Sequence, residues 1–253
     1  SLIAENYTPL HTEIECPVVA ENLEKKYGDF YAVKNNSFCI KKGEIFGLLG
    51  PNGAGKSTLM NMITGYLAPS SGDIFILGRN IRDNPLSAKA SVGFLPEGAP
   101  LYPDLSVRDF LRYMAELRGL PAARIAEAAE TANVTQVMQQ KIETLSKGYL
   151  RRVGFAQSIL SNPPVLLLDE PTDGLDPNQK AHIRSLINQM GQEKTILIST
   201  HLLEEAETVC SRIILMNRGK IMADGSCAEI IARSGGKTLA EAFRKLTVSE
   251  EEN

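Results

Sequence analysis

Residues 50–57 read GPNGAGKS, directly after a short apolar run at 44–49 and directly before a segment of helical pattern that starts at Lys56. This is the motif GxxxxGKS in the strand, loop and helix order that it requires. Its glycines let the backbone wrap closely around a chain of phosphates, so that amide groups approach the ligand. The stretch therefore predicts a nucleotide-phosphate site at the start of a helix in an α/β fold.

The side chains of this loop have separate expected roles. Lys56 supplies a positive charge for the β- and γ-phosphates, and the helix that it opens points the positive end of its dipole at them. The Ser57 hydroxyl is a suitable ligand for Mg²⁺, and Thr58 can add a bond to the α-phosphate. The predicted nucleotide contacts of the loop are Asn52, Gly53, Ala54, Gly55, Lys56, Ser57 and Thr58.

The composition limits the classes of function. Lysine and arginine total 27 against 30 acidic residues, and the net charge of −3 offers no general attraction for nucleic acid or anionic lipid. No apolar run reaches the roughly 18 to 20 residues that cross a bilayer, and residues 1–13 lack the order of a signal peptide. We therefore expect a cytoplasmic protein that binds no nucleic acid and whose phosphate site is local.

The four cysteines, Cys16, Cys39, Cys210 and Cys227, stand far apart and form no CxxC pair. That spacing argues against a zinc site or a redox motif. We interpret all four as structural, because free cysteine is most often simply buried.

Hydrophobic periodicity divides the chain into a core and an insert. Short apolar strands occupy 17–95, a helical pattern runs from about 100 to 160, and strands alternate with helices after Pro164. We predict an α/β P-loop nucleotide-hydrolase core with a mixed or parallel sheet, an N-terminal antiparallel part and an inserted α-helical subdomain. The predicted boundaries are an extension at 1–13, the core at 14–96 and 161–233, the helical subdomain at 97–160 and a tail at 234–253.

Within the insert, turn and capping residues delimit the helices. Ser106 with Asp109 resembles a capping box that begins a helix, and Gly119 ends this helix. Further short helices are predicted at 122–132 and 134–142, and a last one follows Ser146.

Polar side chains follow two buried strands of the second half. The apolar run 165–168 is typical of a parallel strand covered on both faces, and Asp169 and Glu170 come directly after it. His201 follows the next strand, 195–199. Because α/β folds bind ligands at the carboxyl ends of their strands, we predict Asp169 for Mg²⁺, Glu170 as general base and His201 at the γ-phosphate, acting with Lys56. The alternative for His201 is a cap for the following helix.

The order of the motifs closely resembles the ATP-binding cassette family, over about residues 18–231. LSKGY at 145–149 resembles the family's signature, usually LSGGQ, and LDEPT at 168–172 resembles its second Walker motif. DGLD at 173–176 is similar to its D-loop, and His201 stands where the family keeps a histidine.

This resemblance implies that the ligand is ATP with Mg²⁺ and that two copies act together. In the family, Ser146 and Gly148 of one chain would touch the γ-phosphate held by Lys56 of the other, with Asp176 nearby in the D-loop. Tyr27 occupies the position of the aromatic residue that stacks on adenine; the alternative is an ordinary core or surface aromatic. The implied partners are a second ATP-binding subunit and integral membrane permease subunits, which would hold the protein peripherally on the cytoplasmic face.

Three departures from the family pattern carry information. Glu97 replaces the usual glutamine, which keeps an oxygen for Mg²⁺ but adds a negative charge near the triphosphate. Lys147 and Tyr149 replace a glycine and a glutamine of the signature. With these changes the chain resembles the exporter-type branch of the family. Residues 100–103 either form part of the groove for a membrane subunit or make a proline-shaped turn in the core.

The sequence leaves rival functions open. A cassette ATPase without a membrane partner, such as that of iron-sulfur cluster assembly, would share every catalytic motif. A nucleic-acid machine of this family would carry two cassettes or a long coiled coil, and a regulatory module would bind ATP without hydrolysing it. The single cassette and the lack of basic excess count against the nucleic-acid machine. Glu170 and His201 count against the regulatory module.

Overall fold

A computed structural model of the chain describes residues 14–98 and 102–251, with side chains up to residue 248. The predicted extension at 1–13 and two residues of the 100–103 segment, Pro100 and Leu101, lie outside the described residues. In the described part of the chain, no helix is both long and apolar enough to span a membrane.

A six-stranded sheet forms the centre of the fold. Its strands are β3 (Ile45–Leu49), β6 (Val92–Leu95), β7 (Val165–Asp169), β8 (Thr195–Thr200), β9 (Arg212–Asn217) and β10 (Lys220–Gly225). Their order is β10-β9-β3-β8-β7-β6, and every neighbouring pair is parallel except β9 and β10. Strands β7 and β8 are buried along their whole length, as expected for parallel strands covered on both faces. The mixed, mainly parallel sheet agrees with the predicted fold class.

A four-stranded antiparallel sheet is built mostly from the N-terminal part. Its strands are β1 (Val18–Tyr27), β2 (Phe30–Ile40), β4 (Ser71–Ile76) and the short β5 (Arg79–Asn80), in the order β2-β1-β4-β5. A disulfide joins Cys16, just before β1, to Cys39 near the end of β2, with the two Cα atoms 5.8 Å apart. The disulfide is a structural role, as expected for all four cysteines, but the expectation that this pair stays free is wrong. Antiparallel pairing of β1 with β2 brings the two cysteines together. Cys210 and Cys227 are free but only partly buried.

Nine α-helices are found among residues 14–98 and 102–251. They are α1 (Lys56–Ile63), α2 (Pro85–Ser91), α3 (Val107–Leu117), α4 (Ala123–Thr131), α5 (Lys147–Ser158), α6 (Pro177–Gly191), α7 (Leu203–Val209), α8 (Cys227–Ser234) and α9 (Leu239–Glu251). The predicted cap at Ser106 is confirmed, because its hydroxyl accepts a hydrogen bond from the Asp109 amide at 3.0 Å. Ser146 caps α5 in the same way.

The helix predicted at 134–142 is wrong. Two 3₁₀ turns, Thr135–Val137 and Ile142–Thr144, take its place. The amides of Val107 and Arg108 donate to the carbonyls of Gln140 and Met138 at 3.0 and 2.9 Å, so these carbonyls satisfy the first turn of α3 instead of an α-helix of their own.

The two faces of the large sheet belong to different cores. Leu166, Leu168 and Ile198 pack with the helices of the 107–191 region, whereas Leu167 and Leu197 pack with α1 and the antiparallel sheet. The division into core, helical subdomain and tail stays a prediction. Because Ser199 lies opposite both Leu48 and Asp169, the carboxyl ends of β3, β7 and β8 meet at one edge of the sheet. Asp169, Glu170 and His201 lie at this edge, and the 50–57 loop begins there.

Candidate active site

The 50–57 loop connects β3 to α1 in a conformation that depends on its glycines. Gly55 caps α1 with a φ of 104°, a left-handed geometry that other residues adopt at a cost. A Cβ atom at Gly55 would stand 2.4 Å from the Ala32 carbonyl oxygen, and one at Gly50 would stand 2.4 Å from that of Met216. The loop is therefore shaped by backbone that approaches backbone, and it leaves its amides to bind an anion at the start of α1.

Lys56 lies over this loop. Its ammonium group donates to the carbonyl oxygens of Gly50 and of Pro51, the latter at 3.1 Å, and only 6% of the residue is exposed. Burial lowers the pKa of Lys56, while the charges of Glu170, Asp169 and Glu97 act in the opposite direction. A buried ammonium group held by neutral carbonyls of the loop is suited to a ligand that brings negative charge.

Ser57 and Asp169 meet across the loop. The Ser57 hydroxyl lies 3.4 Å from Asp169 Oδ2, and Asp169 Oδ1 accepts a hydrogen bond of 2.7 Å from Ser199. The Asp169 carboxylate is almost fully buried and faces a hydroxyl on each side. Hard oxygen donors of this kind fit Mg²⁺, which prefers one or two protein oxygens together with phosphate oxygens and water. Sequence reasoning missed Ser199, although its place at the end of β8 could have indicated it.

Glu170 has a strained backbone and an unsatisfied side chain. Its φ is 48°, unusual for a residue with a Cβ atom, and the residue is 4% exposed. Its Oε1 lies 3.0 Å from His201 Nδ1, whereas Oε2 has no hydrogen-bond partner within the described part of the chain. Burial raises the pKa of Glu170, and the hydrogen bond and charge of His201 and the charge of Lys56 oppose that rise. A buried carboxylate oxygen without a partner is an acceptor available for a ligand proton.

His201 directly follows β8 and reaches the same edge. Its contact with Glu170 brings together two of the predicted catalytic residues, and about one third of its side chain is exposed. The alternative role as a helix cap finds no support, since α7 begins two residues later, with Leu202 at its N-cap.

The remaining predicted nucleotide contacts lie around this centre. Tyr27 ends β1, is 52% exposed and has the Lys25 ammonium 5.2 Å from its ring, so it is not a core aromatic. Glu97, exposed and two residues beyond β6, is near enough for its charge to act on Lys56. Asn52 and Gly53 are exposed, Thr58 is half-buried and Ala54 is buried.

The signature segment lies against the start of α6. Ser146 accepts a hydrogen bond from the Tyr149 amide at 3.3 Å, and a Cβ atom at Gly148 would stand 2.8 Å from Gln179 Nε2. Asp176 caps α6, its carboxylate accepting from the Gln179 amide at 2.9 Å. Across the described ranges, no hydrogen bond joins these groups to the 50–57 loop. Within one chain, Ser146, Gly148 and Asp176 are thus not brought to the phosphate site.

This chain is similar to a known protein family and to ATP-binding proteins of bacteria. Residues 33–173 match the family model described as "ABC transporter". The chain is 38% identical over 235 residues to the linearmycin resistance ATP-binding protein LnrL of Bacillus subtilis (strain 168), covering 91% of this chain and 74% of that protein. It is 37% identical over 233 residues to the Nod factor export ATP-binding protein I of Burkholderia orbicola (strain AU 1054), covering 90% and 76%.

A further relative and two solved structures also match more than 90% of this chain. The probable multidrug ABC transporter ATP-binding protein YbhF of Escherichia coli (strain K12) is 36% identical over 94% of this chain, which spans 42% of that protein. The structure of an ATP binding subunit of an ABC transporter superposes with a TM-score of 0.82 at 29% identity, covering 91% of this chain and 99% of the other. An ATP-bound bacterial Atm1-family ABC exporter gives a TM-score of 0.79 at 26% identity, covering 92% and 42%.

Proposed function

Because the chain belongs to the ABC transporter family of ATP-binding, ATP-hydrolysing proteins, we propose that it works as one half of an ATP-bound dimer that drives export through separate membrane subunits. The observation that carries the proposal is the Glu170 carboxylate, which is buried with one oxygen free within the described part of the chain and lies beside the 50–57 loop. That arrangement suits hydrolysis of a bound triphosphate, and it argues against a module that only binds ATP.

The proposed reaction transfers the γ-phosphoryl group to water. Loop amides, Lys56 and the α1 dipole hold the phosphates, and His201 orients the γ-phosphate and the water. The water oxygen attacks phosphorus as Glu170 Oε2 takes its proton, and the bond to the bridging oxygen breaks to release ADP and phosphate. Burial raises the Glu170 pKa, which makes the ionised carboxylate a stronger base. Ser57 and Asp169, with Glu97 as a further oxygen donor, would hold Mg²⁺, whose charge offsets that of the phosphates.

The proposed dimer follows from where the signature lies. Ser146 is exposed at the start of α5, and Gly148 beside it keeps the helix close to α6. In a head-to-tail pair, the positive end of α5 and these two residues would meet the γ-phosphate held by the partner's loop, with Asp176 and its D-loop between the two chains. ATP would then hold the protomers together, and its cleavage would let them separate.

The proposed membrane partner would dock on an aromatic surface that we define as Tyr66, Tyr102, Tyr113 and Leu117. These side chains are between 40% and 73% exposed. The ring centroids of Tyr102 and Tyr113 are 5.4 Å apart, and Tyr66 packs on Phe94 of β6, three residues before Glu97, with ring centroids 6.2 Å apart. Apolar surface next to a residue of the phosphate site is where binding of a membrane subunit could be coupled to ATP.

Export is the proposed direction, since relatives named for export and multidrug transport match the chain. The proposed membrane partner would hold the chain at the cytoplasmic face of the membrane.

Phosphate release by the purified protein tests the function. The wild type is expected to hydrolyse Mg-ATP, and Glu170→Gln to retain ATP binding while losing roughly 10²- to 10⁴-fold in rate. Glu130→Gln, the same substitution at an exposed position of α4, is the control and should hydrolyse as the wild type does. Hydrolysis by Glu170→Gln at the normal rate would remove Glu170 from the proposed role.

A further inference from the structure

Glu205 is a buried carboxylate outside the motifs described so far. It lies in α7, four residues after His201, and is 2% exposed. Its Oε1 accepts a hydrogen bond from Arg184 Nε at 2.9 Å, and its Oε2 accepts one from the Thr172 hydroxyl. A buried charge is tolerated only where such partners satisfy it, and here each oxygen has its own.

The two partners belong to segments that shape the active site. Thr172, itself buried, lies two residues after Glu170 in a tight turn, where its carbonyl accepts from the Leu175 amide at 3.2 Å and the Glu170 carbonyl accepts from the Asp173 amide at 3.3 Å. Arg184 lies in the middle of α6, the helix that Asp176 caps. A single carboxylate thus joins the turn after Glu170, the helix after the D-loop and the helix after His201.

We propose that Glu205 is a positioning residue for ATP hydrolysis, which holds the 170–176 turn and α7 at a fixed spacing so that Glu170 and His201 stay in contact. The inference rests on the proposed function. The contact that it protects is the 3.0 Å distance between Glu170 Oε1 and His201 Nδ1. Since residues 173–176 are proposed to lie at the dimer interface, Glu205 would also link the partner protomer to the catalytic pair.

The chemistry of the contacts makes Glu205 hard to replace. A glutamine offers one acceptor oxygen and one donor NH₂ group, so it can accept from Thr172 or from Arg184 but not from both. If that oxygen accepts from Thr172, the NH₂ group faces the Arg184 Nε donor, in a buried place where water is not at hand. If it accepts from Arg184, the NH₂ group can meet the Thr172 hydroxyl only by donating to it, which reverses that hydrogen bond. In both cases the negative charge opposite Arg184 is lost. The turn and α7 are then expected to shift relative to each other, whereas the 50–57 loop is untouched.

The test compares the steady-state kinetics, ATP affinity and melting temperature of four variants. Glu205→Gln removes the buried charge and one of the two acceptor oxygens, Thr172→Val removes the hydroxyl that donates to Glu205, and Thr172→Ser keeps that hydroxyl. Glu204→Gln, the neighbouring exposed carboxylate of α7, is the matched control. We expect kcat to fall about 10- to 100-fold in the first two, with KM and ATP affinity close to wild type. Thr172→Ser should recover most of the loss, and Glu204→Gln should match the wild type. The double variant Glu205→Gln with Thr172→Val should lose less than the product of the two single losses, because both changes act on the contact between these residues.

Several results would overturn the inference. Normal kcat in Glu205→Gln is one, and a raised KM with kcat retained is another, since it would mean that the contact serves ATP binding. A loss of kcat that only follows the fraction of unfolded protein would show a role in stability alone. If Glu205→Gln does not fold, the comparison of Thr172→Val with Thr172→Ser decides. A wild type without hydrolysis would instead refute the proposed function, so the two failures are distinguishable.

Discussion

Gly148→Ala should weaken the proposed ATP-bound dimer while it leaves the stability of the monomer almost unchanged. Gly148 is buried in the first turn of α5, and the added methyl would stand 2.8 to 2.9 Å from the end of the Gln179 side chain. Either Gln179 must leave or the start of α5 must move away from α6. Both responses disturb the surface that is proposed to meet the γ-phosphate of the partner.

The structure allows the size of each effect to be worked out. Alanine stabilises a helix by roughly 0.5 to 1 kcal/mol over glycine. Moving Gln179 breaks its 3.4 Å bond to the Asp176 amide, and one such bond is worth about 0.5 to 1.5 kcal/mol. These terms nearly cancel, so the free energy of unfolding should change by less than about 1 kcal/mol and the melting temperature by less than about 4 °C. Loss of one charge-assisted hydrogen bond to phosphate costs about 1.5 to 3 kcal/mol. Because a symmetric dimer loses this bond at both of its sites, the ATP-bound dimer should weaken roughly 10²- to 10⁴-fold.

The assay is sedimentation equilibrium with ATP in a hydrolysis-deficient Glu170→Gln background, together with thermal melting. The matched control is Gly191→Ala, in which the new methyl would stand 2.8 Å from the Ile45 side chain at the far end of α6. Only Gly148→Ala is expected to weaken the dimer. If it dimerises as tightly as the Gly191→Ala control does, the reasoning about the signature segment is refuted.

Three other perturbations have defined expectations. Burial raises the Glu170 pKa, so the ionised carboxylate destabilises the folded state as pH rises above the ordinary carboxyl range. Glu170→Gln should therefore have a higher melting temperature than wild type at about pH 8 and lose that advantage towards about pH 5. A lower melting temperature than wild type at about pH 8 would contradict this. Glu97→Gln removes a negative charge near the proposed metal site, so Mg²⁺ titrations of ATPase activity should show a higher Mg²⁺ requirement, whereas an unchanged requirement would place Glu97 away from the metal. Replacing Cys16 and Cys39 together by serine opens a link across 23 residues and should cost about 3 kcal/mol in urea unfolding while kcat stays at wild type; a stability equal to that of the wild type would contradict the disulfide.

The parts of the fold that local sequence dictates could be predicted. The 50–57 loop could be identified from its residues alone, because the motif requires glycines, a lysine and a hydroxyl at fixed spacing between a strand and a helix. Likewise, Asp169 and Glu170 end an apolar strand, which places them at the ligand-binding edge whatever the details of the sheet.

Features that depend on distant contacts could not be predicted. The 134–142 segment has a helical pattern, yet its carbonyls are used by the first turn of α3. The disulfide depends on the register of β1 with β2, which the cysteine spacing does not reveal. The contacts of Glu205 span 33 and 21 residues, and a glutamate in an acidic stretch of sequence gives no sign that its side chain is buried.

The central claim is that ATP bound between two protomers holds them together. The most direct measurement is the molar mass of Glu170→Gln by light scattering during size-exclusion chromatography, with Mg-ATP, with Mg-ADP and without nucleotide. The account predicts about twice the monomer mass of 27.6 kDa with ATP alone, and the monomer mass in the other two conditions. A monomer in all three conditions, with ATP binding intact, would contradict it.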